Sequence, residues 1–172
     1  MTTLADLEST APTIAAFVSE RIADTGLCFL GTLRSDGWPR VSPLELFVHD
    51  GCIYMGSMPG SVKATDLQRD PRCCVITPLA DKDDHGGEAK LFCRASLVAG
   101  VDEWEAVRAS IRARSGFDLG EMGGAHLFRF DIEGAAWQRL EGGDTFRTTS
   151  WHPEQGVREF ARTGGDGARV EL

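Results

Sequence analysis

From residue 27 onward, apolar and polar positions alternate with period two through most of the chain, the mark of half-buried strands. "LCFLGTLR" predicts a strand, "SDG" a turn, "WPRVSPLELFVH" a second strand, "DG" another turn and "CIYMGS" a third strand. Asp-Gly between strand-like runs is a strong hairpin signal, so residues 27–57 are expected to form an antiparallel meander. Pro39 and Pro43 lack ladder donors, which leaves part of the second strand exposed along one side. "RCCVITP", "AKLFCRASLVAG", "AHLFRFDI" and "AAWQRL" predict four more strands, and "TFRTTSW" a further one.

Three segments change period. Ile14, Phe17, Val18 and Ile22 recur at helical spacing after Pro12, and Gly26 ends that helix. A short helix over 61–69 stops at "RDP", because Pro71 disfavours helix for Asp70. A third starts with Asp102 as N-cap and Glu105 three residues on, with Trp104, Val107 and Ile111 along one face. "LADKDDHGGE" reads as an acidic loop, and residues 151–172 as a loosely held tail. The expectation is a mainly β protein: a single domain over 1–150, built as an antiparallel barrel with two to three peripheral α-helices.

The Asp50-Gly51 turn also places side chains. With these as its central residues, facing positions sum to 101, so His49 faces Cys52, Leu44 faces Ser57 and Ser42 lies across from Pro59. Arg40, Ser42 and Ser57 then share one side of the sheet, beside the start of the helix that carries Lys63. A lysine in a first helical turn opposes the helix dipole unless an anion sits there. Two cations, the hydroxyls of Ser42, Ser57 and Ser61, and open helix N–H groups converge on a volume of about one phosphate, the setting of an anion site. The plainer alternative pairs Arg40 with Glu45 or Asp66 and leaves Lys63 solvated.

Composition narrows the function classes. The 172 residues are 42% apolar with a net charge of −8, so neither nucleic acid nor an anionic membrane is an expected partner. "MTTLADLESTAPTIAAF" has no apolar core of a signal peptide, and no stretch reaches the length of a membrane span. The five cysteines (28, 52, 73, 74, 93) fall singly in strands without a CxxC pair, as expected of reduced thiols in a cytoplasmic protein. The histidines at 49, 85, 126 and 152 have no ligand spacing, and "DKDDH" lacks the glycine and glutamate of an EF-hand loop, so no metal is expected. No G-x-S-x-G anchors a hydrolytic triad, and no catalytic acid or base stands out.

The segment "GWPRVSPLELFVHDGCIYMGSMPGSVKATDLQRDPRCCVIT" resembles the core of the pyridoxamine 5'-phosphate oxidase-like split β-barrel family of flavin-binding proteins. The shared pattern is G-x-P-R-x-S, a D-G hairpin, G-S-x-K, a short helix and R-D-P-R. The resemblance implies an antiparallel split β-barrel that binds FMN, or the deazaflavin F420, at the interface of a homodimer. It further implies that Arg40 and Lys63 hold the cofactor phosphate, that Val41, Ser42, Gly56, Ser57 and Ser61 line the groove, and that Trp137 caps the cofactor from the partner chain. The implied activity is an oxidoreductase acting on a small organic substrate. A non-catalytic flavin- or heme-binding protein, or a stress protein of the same fold, is the alternative. Two departures separate the chain from pyridoxamine phosphate oxidase itself. Glu45 stands where that enzyme has a second lysine, and "RLEGGDTFR" replaces its R-L-H-D-R substrate motif.

Overall fold

The computed structural model describes residues 1–24, 26–79, 86–164 and 167–172. Two helices come first, α1 (Leu4–Thr10) and α2 (Pro12–Asp24), followed by β1 (Leu27–Leu33), β2 (Pro39–Glu45), β3 (Phe47–His49) and β4 (Cys52–Ser57). Then come α3 (Val62–Arg69), β5 (Arg72–Ile76), β6 (Glu88–Leu97), α4 (Val101–Ser115), β7 (His126–Glu141), β8 (Thr145–His152), β9 (Gly156–Thr163) and β10 (Val170–Glu171). The strands form one antiparallel sheet in the order β10-β9-β8-β7-β6-β5-β1-β2, with β4 paired to β7 and β3 to β4. This is the mainly β, antiparallel split barrel expected, with four helices among the described residues in place of two to three.

The additional helix, α1, starts with a capping box. The Thr3 side chain accepts from the Asp6 N–H, and the Asp6 carboxylate accepts from the Thr3 N–H. That pair is visible in "TLAD", although the helix is too short to show a period. α4 begins at Val101, earlier than expected: Gly100 is the cap, with no side-chain capping bond, and Asp102 lies within the first turn. There Asp102 and Glu103 complement the positive end of the helix.

The sheet register corrects the expected meander. β3 and β4 follow the sum-101 pairing from His49↔Cys52 to Phe47↔Tyr54. It stops there, because β2 pairs with β1 instead: Leu44 faces Cys28, not Ser57, and Ser42 faces Leu30. Leu46 marks the change of partner; it is buried in the barrel core in step with Leu44, while Phe47 is buried on the opposite side of the strand against α4, so both faces are covered from here on. β4 turns its free edge to β7 instead.

"AHLFRFDI" and "AAWQRL" are two parts of one strand, β7. The register shifts opposite Phe92 and Cys93, so Glu133 is an extra residue in a bulge that the sequence presents as a break. The expected boundary at 150 falls inside β8, whose Trp151 is buried in the core. Residues 156–163 are β9, paired to β8 from Trp151↔Val157 to Thr145↔Thr163. Its sparse apolar pattern reflects a half-exposed outer strand rather than an unpaired tail. The expected acidic loop lies largely outside the described residues, which omit 80–85.

α2 lays Ile14, Val18 and Ile22 against the barrel core, which Leu30, Met55, Leu91, Phe128 and Phe130 fill. A second cluster packs α4 through Trp104, Val107 and Ile111 onto Phe47, Tyr54 and Leu127. All five cysteines are free. Cys73 and Cys93 face each other on the core side of β5 and β6, while Cys74 faces Phe92 on the outer side. Burial raises the Cys28 thiol to about 11 and the Cys73 thiol to about 12, and drives Cys93 well above its ordinary value. Alkylation without reductant should therefore find five thiols after unfolding, with Cys28, Cys73 and Cys93 reacting slowly in the native state. Prompt modification of those three in the folded protein would contradict their placement.

Candidate functional site

The candidate residues lie where β2 meets the start of α3. The alternation of β2 turns Arg40, Ser42 and Leu44 to one side, where Arg40 is half-buried and Leu44 buried. Val41 faces the opposite, outer side and is largely exposed. Ser61 caps α3: its Oγ accepts from the Ala64 N–H at 3.3 Å and lies 2.6 Å from the Ser57 Oγ at the end of β4. Lys63, in the first turn, donates from its Nζ to the Pro43 carbonyl at 3.4 Å, next to Ser42. β4 and β2 thus bring Ser57 and Arg40 to α3 from different parts of the barrel, not from neighbouring positions of one hairpin.

Asp66, one turn further along α3, organises the arginine. Its Oδ2 accepts from Arg40 Nε at 2.7 Å and from Thr32 Oγ1 at 3.0 Å, and its Oδ1 from Arg69 Nη1 at 3.4 Å. Arg69 also donates to the Leu33 carbonyl. Burial works against the Asp66 charge, but the Arg40 hydrogen bond, then that of Thr32 and the Arg40 charge, outweigh it and hold the carboxyl below its ordinary value. The pairing of Arg40 with Asp66 is thus realised, and the pairing with Glu45 is not. It engages only Nε; the two terminal guanidinium nitrogens have no hydrogen-bond partner among the described residues.

Gly56 and Ser57 line a cavity of about 290 Å³ together with Glu45, Met58, Phe117 and Leu119. A Cβ on Gly56 would stand 2.8 Å from Leu119 Cδ1, so the loop after α4 lies directly over β4. That loop has no motif, and its contact with Gly56 is absent from the sequence pattern. Trp137 lies elsewhere, on β7. Its ring stacks on Phe17 of α2 at 5.1 Å, its Nε1 donates to the Gly86 carbonyl at 2.8 Å, and the Arg139 guanidinium sits 4.0 Å over it. The structure therefore brings Arg40, Ser42, Ser57, Ser61 and Lys63 together around α3 and leaves Val41 and Trp137 apart from them.

The family model described as pyridoxamine 5'-phosphate oxidase matches residues 14–138, from α2 into β7. The chain belongs to the pyridoxamine 5'-phosphate oxidase family. A search of curated proteins finds no match. Among solved structures, Campylobacter jejuni ChuZ is similar over 96% of this chain and 68% of its own, with a TM-score of 0.69 and 12% identity. A conserved hypothetical protein of Mycobacterium tuberculosis is 21% identical, covering 70% of this chain and 81% of its own at a TM-score of 0.58. HutZ, the heme storage protein of Vibrio cholerae, is 19% identical over 72% of this chain and 90% of its own, at 0.56. At such identities the likeness is one of fold.

Proposed function

We propose that this pyridoxamine 5'-phosphate oxidase family member binds FMN, or in its place F420, through the cofactor phosphate at the basin between β2 and α3, and is an oxidoreductase of a small organic substrate. The observation that carries the reading is the Arg40–Asp66 pair. Held by its Nε at 2.7 Å, the guanidinium is oriented yet keeps its two terminal nitrogens for a second acceptor. A guanidinium steadied in this way loses less rotamer freedom when it binds a phosphate. Lys63 and the Ser57 and Ser61 hydroxyls supply further donors beside the N–H groups of α3, whose dipole favours an anion. The basin thus fits the phosphate group of such a cofactor.

The flavin, when bound, supplies the hydride chemistry. This chain's residues bind and orient it, and Met58, Phe117 and Leu119 give the cavity beside the basin an apolar lining. With Glu45 on that cavity in place of a lysine, the wall is acidic and does not suit a second phosphate on the substrate. We also propose a homodimer. Val41, Gly31, Cys74 and Phe92 run side by side across the outer face of β2, β1, β5 and β6, with exposed Phe29 and Leu27 alongside. An exposed apolar sheet face of this kind marks an interaction surface. The cytoplasm is the compartment that fits five free thiols.

A heme-binding, non-catalytic role is the second reading. It is supported by two neighbours of the same fold, the heme storage protein HutZ and a heme binding protein from Mycobacterium smegmatis. Absorption spectra of the purified protein, with mass spectrometry of what it releases on heating, separate the two. A flavin spectrum bleached by NAD(P)H supports the oxidoreductase, whereas a Soret band overturns it. Sedimentation equilibrium should give twice the chain mass at micromolar protein; a monomer would remove the homodimer.

A further inference from the structure

The cavity of about 290 Å³ beside the basin has a chemistry that the basin does not share. It lies on the α4 side of the barrel, where Phe47, Leu119 and Ala125 pack with the cluster that α4 covers. None of the residues of the proposed dimer face lines it; Glu45, across from Leu27 on β1, stands at the border between the two. The roof is the loop after α4, and it is anchored. Asp118 accepts from Arg108 Nε at 2.7 Å and from the Gly120 N–H at 3.0 Å, and Trp104 Nε1 donates to the Gly120 carbonyl at 3.3 Å. These contacts hold the segment with Phe117 and Leu119 in place, so the cavity exists before a ligand arrives.

The charge has one sign. Glu45 is the one charged residue of the lining among those described, and it has no hydrogen bond or ion pair among them. Arg40 goes to Asp66 instead, and Lys63 to the Pro43 carbonyl. Arg114, from the end of α4, donates to the Leu46 carbonyl at 3.3 Å and lies 5.5 Å from the centre of the Phe47 ring, outside the lining. The walls are the rings of Phe47 and Phe117 and the side chains of Met58 and Leu119. The face of an aromatic ring carries partial negative charge, so two rings and a carboxylate attract a cation and repel an anion. The volume is near the lower end of the roughly 300–1,000 Å³ of small-molecule sites, which limits the occupant to one or two rings.

We infer that this cavity binds a small organic cation, an ammonium or amidinium group on a compact body of one or two aromatic rings. The charge meets Glu45, and the body lies among Phe47, Phe117 and Leu119. Ser57 belongs to both the cavity and the basin, so the cation sits next to a cofactor held there by its phosphate. Its assignment as the substrate class of the oxidoreductase rests on the flavin reading; the cation site itself does not.

The test compares three fluorescent naphthalenes of similar size: 1-naphthylmethylamine, a cation at neutral pH, the neutral 1-naphthylmethanol and the anionic 1-naphthoate. The amine should bind saturably at one site per chain, and the alcohol about tenfold more weakly, since a charge-assisted hydrogen bond contributes that much. The naphthoate should bind more weakly still. Glu45→Gln should weaken amine binding by about tenfold and remove its advantage over the alcohol. Glu45→Lys should reverse the order and favour the naphthoate. Glu45 is exposed, so unchanged melting temperatures should accompany both variants. Phe117→Ala should also weaken the amine, with the carboxylate kept. Amine binding should persist in Lys63→Ala and in the presence of FMN, so a failure of FMN to bind leaves the cation site standing and removes only its assignment to the substrate. No saturable binding of the amine, equal affinity of amine and alcohol, or an unaltered amine affinity in either Glu45→Gln or Phe117→Ala would each overturn the site. Displacement of the amine by FMN would overturn its place beside the cofactor.

Discussion

Lys63→Ala is expected to bind FMN about 10- to 150-fold more weakly than the parent chain, the loss of one charge-assisted hydrogen bond worth roughly 1.5–3 kcal/mol. The fold should be unaffected. A lysine in the first turn of α3 opposes the helix dipole, and its hydrogen-bond partner among the described residues, the Pro43 carbonyl at 3.4 Å, is at the long end for a hydrogen bond. Ser61 continues to cap the helix. Riboflavin, which lacks the phosphate, should bind weakly to both chains and hardly distinguish them. Titrations of both chains with FMN, F420 and riboflavin, with thermal melts alongside, check the expectation. Equal FMN and F420 affinities would make Lys63 a surface residue and remove the phosphate basin from the proposed function.

The largest expected effect on stability is that of Asp66→Ala. Asp66 is buried and accepts from three side chains, Arg40, Thr32 and Arg69. Without it, the buried Thr32 hydroxyl loses an acceptor and two guanidinium groups lose their counter-charge. Removing one partner of a fully buried pair costs about 3–5 kcal/mol; both arginines here are partly solvated, so about 2–4 kcal/mol is expected. At ~2–4 °C per kcal/mol for a domain of this size, the melting temperature should fall by roughly 4–16 °C. The pH dependence has a definite sign. The Asp66 carboxyl is held below its ordinary value in the folded chain, so its contribution is present above the unfolded value of about 3.9 and is lost as pH falls through the folded value. The stability gap between the two chains should stay level from neutral pH down to about 5 and close in more acidic solution. Denaturant melts at several pH values measure it. A gap that widens in acid, or no gap at neutral pH, would show that Asp66 does not organise Arg40.

Much of this molecule follows from local pattern. Period-two runs, the Asp-Gly turn and the residues after Pro12 specify β1, β2, β4 and α2, because alternation, turn chemistry and helical spacing are properties of neighbouring residues. The Asp50-Gly51 turn, with both residues at positive φ, sets the register of β3 and β4 as far as Phe47↔Tyr54. Lys63 is likewise legible as a misplaced charge in a first helical turn, and Ser61 as a hydroxyl at the start of that helix, although its role as the N-cap appears only in the structure. What the local pattern cannot contain is which strand edge each strand chooses. β2 leaves β4 for β1 at Leu46, and β4 pairs with β7 some seventy residues later, a choice made by burial of side chains distant in sequence. The bulge at Glu133 and the pairing of β9 onto β8 are decided the same way, since a broken alternation means a bulge or a strand end depending only on what lies opposite. The sequence by itself determined the cations and hydroxyls of the candidate basin. Only the tertiary structure joined Arg40 to Asp66 across 26 residues, because a buried carboxylate takes whatever donors the packed barrel brings to it.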